Sequence, residues 1–115
     1  MDHKELDVWK KAIDTVVETY RLSDGFPKNE MFGLSQQLRR AAVSIPSNIA
    51  EGAARGSDKE CIHFLYIAMG SLAEVETQII IAERLGYITT EEQILESVKT
   101  IRKMLAGLIK YLKNK

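Results

Sequence analysis

The stretch SDKECIHFLYIAMGSLAEVETQIIIAERLG, residues 57–86, decides the fold. Within it Leu65, Ala68, Leu72, Val75, Ile79 and Ala82 recur at intervals of three and four. That spacing places them on one face of a helix with 3.6 residues per turn. Ser57 followed by Glu60 has capping-box spacing at the start, and Gly86 supplies the C′ residue at the end. The predicted helix has about 28 residues and is roughly 42 Å long at 1.5 Å per residue. Its N-terminal half carries further apolar residues off the stripe, namely Ile62, Phe64, Tyr66, Ile67 and Met69. A helix wetted on its outer side does not need them. They fit a helix packed on two sides, or a subunit interface centred on Phe64, Ile67 and Met69.

The same periodicity extends outward in both directions. Downstream, Ile94, Val98, Ile101, Leu105, Leu108 and Leu112 predict a helix beginning at Thr90. Upstream, Leu34, Leu38, Ala41, Ile45 and Ile49 predict a helix with Asn29 as its N-cap. Pro46 lies inside that pattern, where it removes an N–H and crowds the carbonyl of Ala42. The apolar spacing continues across it without a phase break, which favours one helix kinked at Pro46 over two short ones. Ser44, Ser47 or Asn48 is placed to compensate the freed carbonyl. Nearest the N-terminus, Leu6, Trp9, Ile13, Val16 and Tyr20 predict a first helix, with Asp2 and Glu5 as a capping box and Gly25 and Pro27 as its stop. With no alternating strand pattern and no repeat, the expectation is all-α: one antiparallel up-down-up-down four-helix bundle over residues 1–115.

Composition fits this reading. The chain is 45% hydrophobic and 28% charged with two prolines, which excludes disordered and collagenous classes. A lone Cys61 cannot form an internal disulfide, so a reducing, cytoplasmic setting is expected. No continuous apolar run reaches the roughly 18 residues of a membrane span, and no signal peptide is read at the start.

Enzymatic constellations are missing from the sequence. Glu60-Cys61-Ile62-His63 matches the Glu-x-x-His half of a two-metal bundle site once, but the other histidine, His3, has no such partner. Cys61 and His63 are two apart and fall on opposite sides of a helix, so they do not make a nucleophile pair. No phosphate loop, dinucleotide fingerprint or nucleophile elbow occurs. A non-enzyme with no metal or other cofactor is expected.

Charge is informative only locally. Sixteen Lys and Arg balance sixteen Asp and Glu. From Ser97 onward, however, the segment carries Lys99, Arg102, Lys103, Lys110, Lys113 and Lys115 and no acidic residue. All but Lys115 project opposite the apolar stripe of the last helix. This is a solvated face complementing the helix dipole, or a phosphate-contacting strip. Gln37, Arg40, Ser44, Asn48, Glu51 and Arg55 form a second polar stripe, suited to inter-helix bonding or to a recognition surface. Glu76 is expected to pair with Arg39 or Arg40.

The run Gln37-Leu38-Arg39-Arg40-Ala41-Ala42-Val43-Ser44-Ile45-Pro46-Ser47-Asn48-Ile49-Ala50-Glu51-Gly52 resembles the hallmark segment of four-helix-bundle proteins encoded in 23S ribosomal RNA intervening sequences. Ala68-Met69-Gly70-Ser71-Leu72-Ala73-Glu74-Val75-Glu76-Thr77-Gln78 is similar to a second segment of the same family. The resemblance implies a ring-like homo-pentamer. It also implies kinship with accessory proteins of diversity-generating retroelements, which bind a reverse transcriptase and nucleic acid. Those relatives are strongly basic, whereas this chain has a pI near 6.7. The resemblance makes Arg39, Arg40, Asn48 and Glu51 candidate contact residues, beside Lys99, Arg102, Lys103 and Lys110. An oligomeric RNA- or nucleoprotein-binding accessory is the expected function. A platform for a protein partner is the alternative.

Overall fold

The computed structural model describes residues 1–89 and 92–115. Among them are four helices and no strand: α1 (Asp7–Ser23), α2 (Leu34–Ala53), α3 (Asp58–Arg84) and α4 (Glu92–Lys113). Short 3-10 turns at His3–Glu5 and Lys28–Glu30 precede α1 and α2. The helices pack as a bundle in which α2 lies between α1 and α3, and α4 closes against α3 and α1. Contacts between ends set the directions. Arg39, early in α2, reaches Asp24 at the end of α1, and Ser44 of α2 meets Ser71 of α3 while Gly52 meets Cys61. Lys115, just past α4, reaches Asp58 at the start of α3.

The capping chemistry of α3 follows its sequence. The Glu60 amide donates to Ser57 Oγ, whose hydroxyl bonds back to Glu60 Oε2, both at 3.2 Å. At the other end Gly86 adopts φ +78°. Tyr87 N–H bonds the Ala82 carbonyl and Gly86 N–H that of Glu83, both at 3.0 Å, which is the Schellman pattern. The expected stripe from Leu65 to Ala82 is buried throughout, and so are Ile94, Val98, Ile101, Leu105 and Leu112 of α4.

The N-terminal half departs from expectation in three places. Asp2 caps the 3-10 turn by accepting the Lys4 N–H and accepts nothing from α1, which starts at Asp7 without a side-chain cap. Asn29 lies within the second 3-10 turn; α2 begins instead after Gly33, where Glu30 Oε1 accepts the Leu34 N–H at 3.3 Å. The buried face of α1 is Val8, Ala12, Thr15, Thr19 and Ser23, not the bulky row from Leu6 to Tyr20. Small residues let α1 approach its neighbours closely. The hydroxyls of Thr15 and Thr19 are satisfied by carbonyls one turn back, at 3.0 and 2.8 Å. The larger Ile13 and Tyr20 are pushed to the surface, 36% and 41% exposed.

Helix α2 runs unbroken through Pro46. The Asn48 side chain donates to the Ser44 carbonyl and hydroxyl, at 2.8 and 2.9 Å, rather than to anything near Ala42. Gly52 is where α2 and α3 come closest. A Cβ there would sit 3.1 Å from the Cys61 carbonyl and from Phe64 Cβ. The expected start of the last helix at Thr90 lies outside the described residues. By length and averaged hydropathy (1.4) α3 is apolar enough to cross a membrane, which the run-based sequence reading missed. Its most apolar stripe is spent in the bundle core.

A hydrogen bond ties the α1–α2 connection to the end of α3. Tyr87 Oη donates to Glu30 Oε2 at 2.7 Å, beside a tilted Phe26–Tyr87 ring pair with centroids 5.7 Å apart. That bond, reinforced by the Leu34 amide, holds the Glu30 carboxyl below its usual range. The same bond raises the Tyr87 phenol. A depressed carboxyl stabilises the fold above the ordinary carboxylate range, and the contribution fades as pH falls through the lowered folded value. Tyr87→Phe therefore moves the Glu30 titration back up toward the ordinary range, as read by NMR of its side-chain carboxyl carbon. An unshifted titration would mean the bond does not form in solution.

Candidate nucleic-acid interface

The candidate contact residues divide according to whether the fold has already engaged them. Arg39 Nε donates to Ser23 Oγ at 2.7 Å, its guanidinium pairs with Asp24 at 2.8 Å, and it lies 4.7 Å over the Tyr20 ring. Arg102 pairs with Glu76 at 2.9 Å across α3 and α4, which corrects the expected pairing of Glu76 with Arg39 or Arg40. The error lay in the neighbour: Glu76 leans toward α4, on the side of α3 away from α2. Asn48 is bonded to Ser44, and Glu51 pairs at 2.9 Å with Arg55, just past the end of α2. These groups hold helices together or brace their own.

What is left uncommitted, besides Arg40 of α2, is a row on α4. Lys99, Lys103 and Lys110 are exposed, and among the described residues none forms an ion pair or side-chain hydrogen bond. They fall within a narrow sector opposite the buried stripe, at axial steps of about 6 and about 10 Å. Glu96 is the acid nearest in register on that face. Lys113 is occupied separately, donating to Tyr66 Oη at 2.9 Å.

A second feature is the groove between α2 and α3. Gln37, Arg40 and Ser44 from one wall meet Ser71, Glu74 and Gln78 from the other, around about 380 Å³. The Ser44 and Ser71 hydroxyls bond at 2.8 Å. The sequence stripe on α2 pointed at one wall; the other was hidden because Ser71, Glu74 and Gln78 look like scattered polar positions until α3 is in register.

The three residues expected to form a subunit interface do not share a face. Phe64 turns toward α2, under the Arg55 guanidinium at 4.7 Å. Met69 packs against the core, beside a groove formed with α4. Only Ile67 points outward, 40% exposed. A larger apolar surface lies along α1 and α2, where Trp9, Ile13, Val16, Val43, Pro46 and Ala50 line one groove. Tyr20, Met31, Phe32 and Val43 line a continuation of it.

Catalytic candidates come apart. Glu60 is part of the α3 cap, His63 is exposed against the Phe64 ring, and Cys61 is buried. Burial, with the Asp58 carboxylate nearby, pushes the Cys61 thiol up. Among the described residues no three His, Cys, Asp or Glu side chains gather in a metal-holding group.

Comparison with known proteins agrees with the fold. A profile described as "23S rRNA-intervening sequence protein" matches residues 4–107. A solved structure of a protein of unknown function, from the S23 ribosomal protein family of Bacteroides thetaiotaomicron, superposes with a TM-score of 0.84 at 29% identity. The match covers 96% of this chain and 99% of that one. Among curated proteins none matches the chain.

Proposed function

The chain belongs to the 23S rRNA-intervening sequence protein family, and from that premise we propose that it is a non-enzymatic RNA-binding accessory that works as a homo-oligomer. One observation carries the RNA half of this reading: the uncommitted row Lys99, Lys103 and Lys110 on the outer face of α4. Phosphate binding needs cations free to release counterions, and these have no acidic partner among the described residues. Repetition of the row around an oligomer multiplies its field, which one neutral chain cannot supply. Titration of structured ribosomal RNA at low salt tests it. Binding that weakens steeply with salt is expected; no binding at low salt overturns it.

Oligomerisation rests on the α1–α2 surface. Side chains as large as Ile13, Tyr20, Val43 and Phe32 are left exposed together there, and such patches mark interaction sites. Ile13→Glu combined with Val43→Glu is expected to reduce the assembly to the 13.0 kDa chain in light scattering. Dissociation by Ile67→Glu instead would move the interface to α3. The same apolar surface favours a second reading, in which the oligomer is a platform for a protein partner. Partner capture indifferent to salt and nuclease distinguishes that reading from RNA binding.

A further inference from the structure

The connection between α1 and α2 is braced at several points. Phe26 is buried against the Tyr87 ring. Both oxygens of the Glu30 carboxylate are engaged: Oε1 accepts the Leu34 N–H at 3.3 Å, and Oε2 the Tyr87 hydroxyl at 2.7 Å. A Cβ at Gly33 would fall 2.7 Å from Glu30 Oε1, so glycine leaves that carboxylate its place. The Met31 N–H bonds the Lys28 carbonyl at 3.1 Å, and the Gly33 N–H that of Glu30 at 2.9 Å. What these bonds hold out is apolar. Met31 and Phe32 lie between the anchors, 59% and 85% exposed. A side chain on a fixed backbone docks at a lower entropic cost than one on a mobile loop. Further along the same α1–α2 face, Trp9, Ile13, Val16, Val43, Pro46 and Ala50 line an apolar recess of about 280 Å³.

We propose that the braced Met31–Phe32 turn of one copy of this chain inserts into the Trp9–Ala50 recess of a second copy. Turn and recess cannot meet within one chain. The turn precedes Leu34, and Ser47 at the rim of the recess stands about 20 Å farther along α2. The occupant is a second copy because the chain carries both halves of the contact on one face. Its sixteen basic residues also balance its sixteen acidic ones, so copies approach without net repulsion. A phenyl ring suits a recess walled by an indole and aliphatic side chains. Its seating takes Ile13 and Val43, 36% and 40% exposed, out of water together with Phe32. A rigid aromatic entering an apolar pocket has the character of an interface hot spot. The inference rests on the homo-oligomeric half of the reading above, and adds to it the anchor, its seat and the Glu30–Tyr87 bond that positions the anchor.

The test is a cross-link in the full chain carrying Met31→Cys and Ser47→Cys, both exposed positions, with Phe32 kept. A disulfide needs Cα atoms within about 7 Å, so these two cysteines join only between copies. Cys61 is buried with its thiol pushed up and stays out of the reaction. Mild oxidation is expected to give covalent multimers on a non-reducing gel, and neither single-cysteine variant is expected to give them. Phe32→Ala, an exposed change that leaves the fold intact, is expected to weaken self-association on the order of 30-fold on dilution in light scattering. A double-cysteine variant that assembles without cross-linking overturns the inference and leaves the oligomeric reading standing. Cross-linking by a single-cysteine variant to the same extent overturns it too, as does Phe32→Ala that assembles like the parent. A parent chain that is a monomer at micromolar concentration overturns both the oligomeric reading and the inference.

Discussion

Leu72→Ala is expected to lower the unfolding free energy by about 3 kcal/mol, with a fall in Tm of about 10–15 °C. Leu72 is wholly inaccessible, midway along the helix that packs against both α2 and α4. Truncation there removes the transfer free energy of the lost carbons and leaves a cavity that surrounding side chains fill only in part. A domain of this size has only about 5–15 kcal/mol of stability, so the loss is a large share of the total. Two comparisons isolate the cause. Leu72→Met keeps the volume and should cost under about 1.5 kcal/mol. Ile67→Ala lies five residues away on the exposed side of α3 and should change chain stability by no more than about 0.5 kcal/mol. Chemical denaturation with intrinsic fluorescence of Trp9 reads all three. A Leu72→Ala variant as stable as the parent would mean that the Leu65–Ala82 face of α3 is not packed in the core.

The register of α3 and α4 is legible in the sequence because their largest aliphatic residues are also their buried ones. In such helices hydrophobic period and burial report the same face, and the caps at Ser57 and Gly86 obey local rules that need no tertiary knowledge. Helix α1 breaks the correspondence. Its bulky row, Trp9, Ile13, Val16 and Tyr20, lies about a quarter turn from the buried row of Ala12, Thr15 and Thr19. A periodicity count favours size, while close helix packing favours small side chains with internally bonded hydroxyls, and here packing wins. Trp9 and Val16 of the bulky row lean on the edge of the core, while Ile13 and Tyr20 stand exposed.

Which polar groups are free was less legible still. Arg39 and Arg102 look like Arg40 and Lys103 in sequence, but tertiary register puts Asp24 beside the first and Glu76 beside the second. The paired acids lie 15 and 26 residues away along the chain, beyond any local pattern. The sequence reading places Lys99, Lys103 and Lys110 opposite the core together with Arg102 and Lys113, and only the tertiary partners Glu76 and Tyr66 separate the engaged pair from the free three.

Neutralising that row gives the larger functional effect. Lys99→Gln, Lys103→Gln and Lys110→Gln together are expected to weaken RNA binding on the order of 100-fold at 50 mM salt, with the fold intact. The size follows from counterion release. Three phosphate contacts to single-stranded RNA contribute about −2 to the slope of log affinity against log salt, which is about 20-fold in affinity between 50 and 200 mM. The triple variant should lose that part of the slope, and its affinity should converge on the parent's as salt rises toward 1 M. Glutamine keeps the helix propensity of lysine and adds no repulsion, so any loss reports missing attraction. Arg102→Gln supplies the contrast. Its guanidinium is paired with Glu76 and half-buried, so its removal should lower stability and leave the salt slope nearly unchanged. An unaltered slope in the triple variant would move the phosphate contacts off α4. A slope altered as much by Arg102→Gln would mean that the Glu76 pair opens to bind RNA.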